Sequence, residues 1–492
     1  MTLKLLLWIE GPLQFSIAYH LQKQSDVELY AIFDVTNKPK EFYEKQNLVK
    51  FKKIWFYHDN IKKIHKPDYE YLMKFEEKYK INLWKLAINE RIFYRFYKFH
   101  KFSDEEIMSI DEDSCKLFEN IFQEINPDCI LTYLPAFHHL ELFYELSKSF
   151  SIKTLVLSNP MLGYKTRISE GKKISESMEK SDANNSRNFL ELQEYLKSFD
   201  VSKQIKESGK KENKSKKLFS SAIEYFFKSD NKHEKTHYTY FGRTKLKVLK
   251  NTLELFIKKK IREDFISKKL LKEIKTEKPF VYFPLGVEPE ANILISAPFF
   301  TNQIEIIRSV AKSLPPGYLL LVKENPAQTN REWRKISEYK EMLEIPNVRV
   351  IHPSVSKETL FKNSSLVITV AGSSGLEAAF YEKPSIVFSD TIYSILSSVT
   401  EVKEIEKLPD VIRESLSKKI ESRELNRFLM LLEKETFDFD LRGLNSKISN
   451  YFAHGGFLAN TKISDEKMRQ FLTENEKELE RLSVEYMKKL RI

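Results

Sequence analysis

Apolar positions in the first part of the chain fall into short runs separated by amphipathic stretches. The runs lie at 3–9, 27–33, 54–57, 129–133 and 153–157. Short apolar runs between turn signals predict strands that are buried on both faces. The stretches between them have helical character, and this alternation is typical of a doubly wound α/β sheet. We therefore expect an N-terminal Rossmann-like domain over residues 1–181.

The same alternation returns after Pro279. It predicts strands at 280–285, 318–323, 348–351, 366–371 and 385–388, and helices at 302–313, 331–343 and 357–363. Because each strand is followed by a helix that can cross back over a sheet, the strands are expected to run parallel. We therefore expect a second Rossmann-like domain over residues 276–455.

Residues 182–275 interrupt this rhythm. They hold a Lys/Ser/Glu-rich tract at 203–217, followed by basic amphipathic stretches within 245–271. This composition predicts a helical insert or linker rather than another sheet domain. The charged tail at 456–492 is expected to be helical. The predicted fold class is α/β, with two doubly wound domains, a helical insert and C-terminal helices.

Charge and composition limit the kinds of partner that the chain is expected to bind. The 492 residues carry a formal net charge of +11, which favours anionic partners such as nucleotide phosphates, acidic glycans or an anionic membrane surface, although solubility alone also explains it. No nucleic-acid-binding motif is present, so no nucleic-acid partner is expected. The two cysteines, Cys115 and Cys129, have no metal-ligand spacing and fit a reducing, cytoplasmic location. The sequence has no run of about 18 apolar residues, so no transmembrane helix is predicted.

Three turns that follow predicted strands of the second domain concentrate charge, glycine and proline. The carboxyl ends of parallel strands meet at one edge of a sheet, so these turns are expected to share a crevice. Their candidate site residues are Glu288 and Glu290; Lys323, Glu324, Asn325 and Pro326; and Gly372, Ser373, Ser374, Gly375 and Glu377.

These residue types suit transfer from a nucleotide-linked donor. Lys323 would neutralise a leaving phosphate, and the Gly372–Gly375 turn would offer backbone N–H groups at a helix start. Glu377 would accept from a ribose or base edge, and Glu288 or Glu290 would position the sugar or act as a base. Capping turns and ion pairs explain each residue equally well. The fingerprints of NAD enzymes, P-loop NTPases and zinc hydrolases are absent.

Further candidates lie in the N-terminal domain. His138 and His139 follow the predicted strand 129–133, and without metal-ligand spacing they are predicted to be surface or capping residues. Arg167 follows the strand 153–157 and is a candidate for the crevice at that sheet edge. The aromatic residues between 67 and 125 recur at helical spacing, which is typical of a core.

Four segments of the second domain resemble the capsule polysaccharide biosynthesis family. In chain order they are FVYFPLGVEPEANIL, LLLVKENPAQTNREW, NVRVIHP and VITVAGSSGLEAAFYEKPSIVF. The likeness covers about 276–392 well and the N-terminal domain more loosely, where Arg167 and Ile168 match an Arg-Ile element. That family includes bacterial transferases that take the acidic sugar Kdo from a CMP-linked donor.

The resemblance implies a GT-B architecture, in which two Rossmann-like domains face a cleft and the C-terminal one holds the nucleotide. It implies a metal-independent, cofactor-free glycosyltransferase acting on surface glycans. The donor would be a nucleotide-activated sugar, with a CMP-linked acidic sugar as one option, and the acceptor a glycan or lipid-linked glycan. Such an enzyme would work in the cytoplasm, with contact to the inner face of the membrane as a further expectation.

At the positions that match the family's motifs, the resemblance implies catalytic roles for Glu288, Glu290 and Arg167. It implies donor binding by the residues of the 323–326 and 372–377 turns. One position departs from the family pattern, because Asn325 stands where histidine is usual before Pro326. Asparagine donates hydrogen bonds but carries no catalytic proton. This departure favours one alternative, a non-catalytic protein of surface-glycan assembly. A CDP-glycerol-type polyol-phosphate transferase and a nucleotide-sugar epimerase also stay open.

Overall fold

The computed structural model describes residues 2–62, 64–160, 163, 165–171, 187–198, 225, 233–330, 333–456, 458 and 460–491. The Lys/Ser/Glu-rich tract predicted at 203–217 lies outside these residues, as do residues 331 and 332 of the predicted helix 331–343. Contacts group the chain into two compact units, Met1–Lys172 with Asp200–Lys245 and Glu435–Ile492, and Lys173–Phe199 with Leu246–Lys434.

Thirteen strands are formed by the described residues. They are β1 (Leu3–Ile9), β2 (Val27–Phe33), β3 (Phe51–Phe56), β4 (Cys129–Tyr133), β5 (Lys153–Ser158), β6 (Lys165–Glu170), β7 (Phe280–Pro284), β8 (Leu319–Lys323), β9 (Val348–Ile351), β10 (Leu366–Thr369), β11 (Ser385–Val387), β12 (Val399–Glu401) and β13 (Thr436–Asp438).

The described residues also form α-helices in both units. In chain order they are α1 (Pro12–Gln24), α2 (Asn37–Lys45), α3 (Tyr57–Asn60), α4 (Tyr69–Tyr79), α5 (Leu83–Ile88), α6 (Asp104–Ile125), α7 (His138–Ser149), α8 (Phe189–Ser198), α9 (His233–Thr236), α10 (Lys245–Lys269), α11 (Ala291–Leu294), α12 (Gln303–Ser313), α13 (Ile336–Glu344), α14 (Lys357–Asn363), α15 (Ser374–Phe380), α16 (Leu408–Ser417), α17 (Ser422–Glu435), α18 (Leu441–Phe452), α19 (Asp465–Glu474) and α20 (Glu476–Leu490). Among the described residues, no helix combines the length and apolar character needed to cross a bilayer.

The first unit is built on a seven-stranded sheet in the order β13-β6-β5-β4-β1-β2-β3. Strands β1 to β5 run parallel, while β6 is antiparallel to β5 and β13 is antiparallel to β6. Side chains alternate between faces, so Leu7 belongs to one core and Trp8 to the other. The tail returns to this sheet, where Ser483 Oγ of α20 donates to Gln24 Oε1 of α1 over 2.7 Å.

The second unit holds a six-stranded, wholly parallel sheet in the order β12-β11-β10-β7-β8-β9. Strands β7, β8 and β10 are buried on both faces, as their continuous apolar runs predict. The predicted fold class is therefore confirmed as α/β, with two Rossmann-like units and C-terminal helices. Within 182–275 the described residues form helices, of which α10 is the longest.

Candidate functional site

The carboxyl edge of the second sheet brings the three candidate turns together. Strand β7 lies between β10 and β8 and runs parallel to both, with Val281 opposite Leu366 and also opposite Leu320. The chain leaves these three strands at the same edge of the sheet. The turns at 285–290, 324–326 and 370–373 therefore neighbour one another, as parallel topology requires.

A buried arginine connects two of these turns through ion pairs and a hydrogen bond. Arg334 is almost fully buried; its Nε lies 3.1 Å from Glu324 Oε2, and its Nη1 forms an ion pair with Glu288. Its Nη2 donates to the carbonyl of Gly286 over 2.6 Å, and Tyr339 Oη donates to Glu324 Oε2 over 2.6 Å. The two carboxylates thus hold the turns after β7 and β8 in one arrangement. Sequence reasoning missed Arg334, although two acids after neighbouring strands signal the need for a cation.

Lys323, the last residue of β8, has a different environment. Only 6% of the residue is exposed, and none of the described residues accepts a hydrogen bond from its ammonium group. Burial, with the nearby charge of Lys357, lowers the pKa of Lys323 to about 8. The charge of Glu377 opposes this lowering only in part, and no described carboxylate is paired with the ammonium. A buried cation without a paired counter-ion is costly. Such a group at a sheet edge is a strong candidate for binding an anion.

Two charged residues, Lys357 and Glu377, lie near Lys323. Lys357 forms a 2.7 Å ion pair with Glu377, whose other oxygen accepts from Ser373 Oγ over 3.1 Å. Burial and the charges of Lys272 and Lys323 lower the pKa of His352, which directly follows β9. Glu377 therefore orders Lys357 and Ser373 near Lys323.

The glycine turn is shaped by close packing. A Cβ on Gly375 would lie 2.7 Å from Tyr393 Oη, and one on Gly372 would lie 2.9 Å from Thr369 Oγ1. Tyr393 Oη also donates to the carbonyl of Gly372. Ser373 stands at the N-cap of α15 without a side-chain capping bond, and Ser374 opens the helix. Both glycines are thus explained by neighbouring side chains.

Asn325 and Glu290 serve as local turn residues. Asn325 Oδ1 accepts from the backbone N–H of Ala327 over 2.9 Å at the start of the 3₁₀ turn Pro326–Asn330, and its own N–H donates to Glu324 Oε1. Glu290 is the N-cap residue of α11. An asparagine is well suited to capping such a turn, so the departure at this position has a structural reason.

Arg167 lies in the first unit, on β6. It is 2% exposed, and its Nε donates to Glu435 Oε2 over 2.8 Å. This pair fastens β6 to the chain that enters β13, where Thr436 is opposite Arg167. Arg167 therefore has a structural partner, and it belongs to a different unit from the three turns.

The neighbouring histidines of α7 are buried, so the prediction of surface residues is wrong. His138 lies between Glu90 and Asp111, with Nδ1 3.4 Å from one carboxylate and Nε2 3.3 Å from the other. His139 Nε2 lies 2.9 Å from Asp34 Oδ2. Only the fold brings these acids to the histidines. Among the described residues, no three His, Cys, Asp or Glu side chains are grouped as metal ligands.

The segment that carries this site matches a known protein family. A family model described as capsule polysaccharide biosynthesis protein matches residues 185–409. The predicted resemblance to this family is confirmed. The matched capsule-synthesis segment contains Lys323, Arg334 and all three turns. No curated protein matches the chain.

Several solved structures are distantly similar to this chain. The beta Kdo 2,7 transferase of KpsC from Thermosulfurimonas dismutans is 14% identical, with 81% of this chain and 98% of that one covered at a TM-score of 0.32. The beta Kdo 2,4 transferase of the same protein is 11% identical over 63% and 85%, with a TM-score of 0.28. UDP-GlcNAc 2-epimerase from Methanocaldococcus jannaschii is 13% identical over 88% and 100%, with a TM-score of 0.25. These values establish neither activity nor substrate.

Proposed function

We propose that the chain is a glycosyltransferase of capsule or surface polysaccharide synthesis that uses a nucleotide-activated sugar. One observation carries this proposal: inside the capsule-synthesis segment, at the carboxyl edge of the sheet, Lys323 is a buried residue whose ammonium group has no hydrogen-bond partner among the described residues. A phosphate placed there would supply the missing counter-charge. Lys357 would add positive charge near the same phosphate.

Each group at this edge has a distinct task in the proposed reaction. The acceptor oxygen forms a bond to the anomeric carbon and releases its proton to water, and the bond from that carbon to the phosphate oxygen breaks. The nucleotide leaves with the bonding electrons, and Lys323 stabilises the negative charge that develops on its phosphate. Glu288 and Glu324 act through Arg334 as positioning residues, because both carboxylates are occupied by its guanidinium.

A panel of nucleotides tests the proposal. Thermal unfolding of the full chain is followed with CMP, UDP, GDP and CDP-glycerol, because a ligand that binds only the folded state raises the unfolding temperature. One nucleoside mono- or diphosphate is expected to stabilise the protein, by about 2.7 kcal/mol at a hundredfold excess over Kd. A response to CDP-glycerol alone would replace the proposal with polyol-phosphate transfer. No response to any of the four would leave only a non-catalytic role.

A second observation concerns where such an enzyme would act. Helix α10 exposes a stripe of large apolar side chains on the side opposite its packed face, and five of its six members are more than half exposed: Leu246, Leu249, Leu253, Phe256, Ile257 and Ile261. The helix also carries nine Lys and Arg against three Asp and Glu. We propose that this stripe docks on an anionic lipid surface, since apolar insertion and lysine charge act together there.

Vesicle sedimentation checks the docking proposal. The full chain is expected to sediment with phosphatidylglycerol vesicles and to stay in solution with phosphatidylcholine alone. Leu253→Lys with Phe256→Lys is expected to reduce the bound fraction at least fivefold, although both changes add positive charge. Retention of binding by this double variant, or no binding of the unaltered chain, would contradict the proposal. Lys312→Ala, on an exposed lysine of α12, serves as the control.

A further inference from the structure

The strand next to Lys323 ends in a histidine that has no part in the proposed reaction. Strand β9 runs parallel to β8, and its last residue, Ile351, is opposite Lys323. His352 follows directly, so both side chains leave the second sheet at its carboxyl edge, where such sheets bind ligands. Adjacent strands lie about 4.8 Å apart, so one phosphate group can accept hydrogen bonds from both residues.

The backbone of His352 is held in place on both sides. Its N–H donates to the carbonyl of Leu271 over 2.8 Å, and its carbonyl accepts from the N–H of Val355 over 3.1 Å. Leu271 itself forms a parallel bridge to Ile351, which extends the sheet beside β9. These contacts fix the point at which the imidazole leaves the sheet edge.

Ser354 determines which ring nitrogen of His352 carries the proton. The backbone N–H of Ser354 donates to His352 Nδ1 over 3.1 Å, and Ser354 Oγ lies 2.6 Å from the same nitrogen. A ring nitrogen that accepts a hydrogen bond carries no proton, so the neutral imidazole has its proton on Nε2. None of the described residues forms a hydrogen bond with Nε2. The ring therefore offers one oriented N–H group at the sheet edge.

The charge state of this imidazole differs from that of Lys323. Burial, followed by the positive charges of Lys272 and Lys323, lowers the pKa of His352. Those two ammonium groups are the charged groups that act on the ring, and no described carboxylate forms an ion pair with it. A second proton would have to enter at Nδ1, which would break the hydrogen bond from the Ser354 N–H. His352 is therefore a neutral hydrogen-bond donor beside a cation.

The chemistry of the edge indicates what His352 binds. An ammonium and a neutral N–H on adjacent strand ends suit an anion with several acceptor oxygens, and a phosphate group has that form. The 323–326 turn supplies no imidazole, because Asn325 stands at the position before Pro326 and its Oδ1 accepts from the N–H of Ala327. The imidazole at this edge comes instead from the end of β9.

We propose that the Nε2–H group of His352 donates a hydrogen bond to the nucleotide phosphate whose charge Lys323 balances. This inference rests on the proposed nucleotide site. His352 forms no covalent bond and transfers no proton; it holds one phosphate oxygen while Lys323 faces the charge that develops as the nucleotide leaves. A neutral donor suits this place, because a second cation would lower the pKa of Lys323 further.

Calorimetric titration of the full chain with the nucleotide that raises its unfolding temperature tests the contact. His352→Leu is expected to weaken binding about tenfold or more, as the loss of a hydrogen bond to a charged group does. His352→Gln is the matched variant, because its side-chain amide can donate in place of Nε2–H, and its affinity should stay within about threefold of the unaltered chain. An unchanged affinity in His352→Leu, or equal losses in the two variants, would overturn the inference.

NMR of the full chain labelled with nitrogen-15 in its histidines tests the charge state and the tautomer. The spectrum of His352→Gln identifies the His352 signals by their absence. At pH 7 these signals are expected to show a neutral ring with its proton on Nε2, both before and after the nucleotide is added. The nucleotide should slow exchange of the Nε2 proton with water. A charged ring, a proton on Nδ1 in the neutral ring, or exchange that the nucleotide leaves unchanged would contradict the proposed contact.

This contact and the proposed function fail in different ways. If none of the four nucleotides raises the unfolding temperature, the proposed transfer and the His352 contact are both lost. If a nucleotide binds with an affinity that depends on Lys323 but not on His352, the transferase proposal stands and the contact is rejected.

Discussion

Replacing Arg334 by alanine is expected to lower the free energy of unfolding by about 3–5 kcal/mol. The guanidinium is buried with Glu288 and Glu324, and it also donates to the carbonyl of Gly286. Its removal leaves two carboxylates without their counter-ion in a poorly solvated place. Tyr339 would still donate to Glu324, but a neutral hydroxyl group compensates for only part of the lost charge.

Urea unfolding of the full chain measures this loss through the shift of the midpoint. Arg308→Ala is the matched control, because Arg308 also pairs with two glutamates, Glu305 and Glu341, but its side chain is 39% exposed. Its effect is expected to stay within about 1 kcal/mol. Equal losses in the two variants would show that the Arg334 cluster does not hold the turns together.

Replacing Lys323 by alanine is expected to weaken binding of the stabilising nucleotide about 10- to 100-fold, since a hydrogen bond to a charged group contributes about 1.5–3 kcal/mol. The folded protein should not lose stability, because none of the described residues depends on this ammonium for a hydrogen bond. Calorimetric titration gives the affinities. Lys312→Ala removes the same charge from an exposed site and should leave the affinity unchanged.

The pH dependence provides an independent check on Lys323. The pKa of Lys323 in the free protein is lowered to about 8, so the ammonium loses its proton as pH rises above that value. Because the phosphate binds the protonated form, affinity is expected to be constant below about pH 8 and to fall above it. In Lys323→Ala this fall should disappear. A parallel decline in both forms would assign the anion site to other cations.

The first unit shows which features of a sheet edge can be predicted from the sequence and which cannot. The strands before Glu10 and Asp34 were predicted from their apolar runs, so the sheet edge was accessible in principle. The signal was a charged residue directly after each of two buried strands. The sequence predicts a surface or capping role for His139, because nothing local to α7 indicates that Asp34 and Tyr238 lie against its ring.

The pattern of apolar runs by itself determined two α/β sheets built mainly of parallel strands, and it determined that three turns meet at one edge of the second sheet, since strand direction follows from the alternation of strands and helices. It did not indicate the antiparallel strands β6 and β13 of the first sheet. It did not determine what each charged side chain does there. Arg334 occupies Glu288 and Glu324, Asn325 caps its own turn, and Lys323 is left without a described partner. Ion pairing and desolvation depend on distances between residues far apart in the chain, and only the tertiary structure sets those distances.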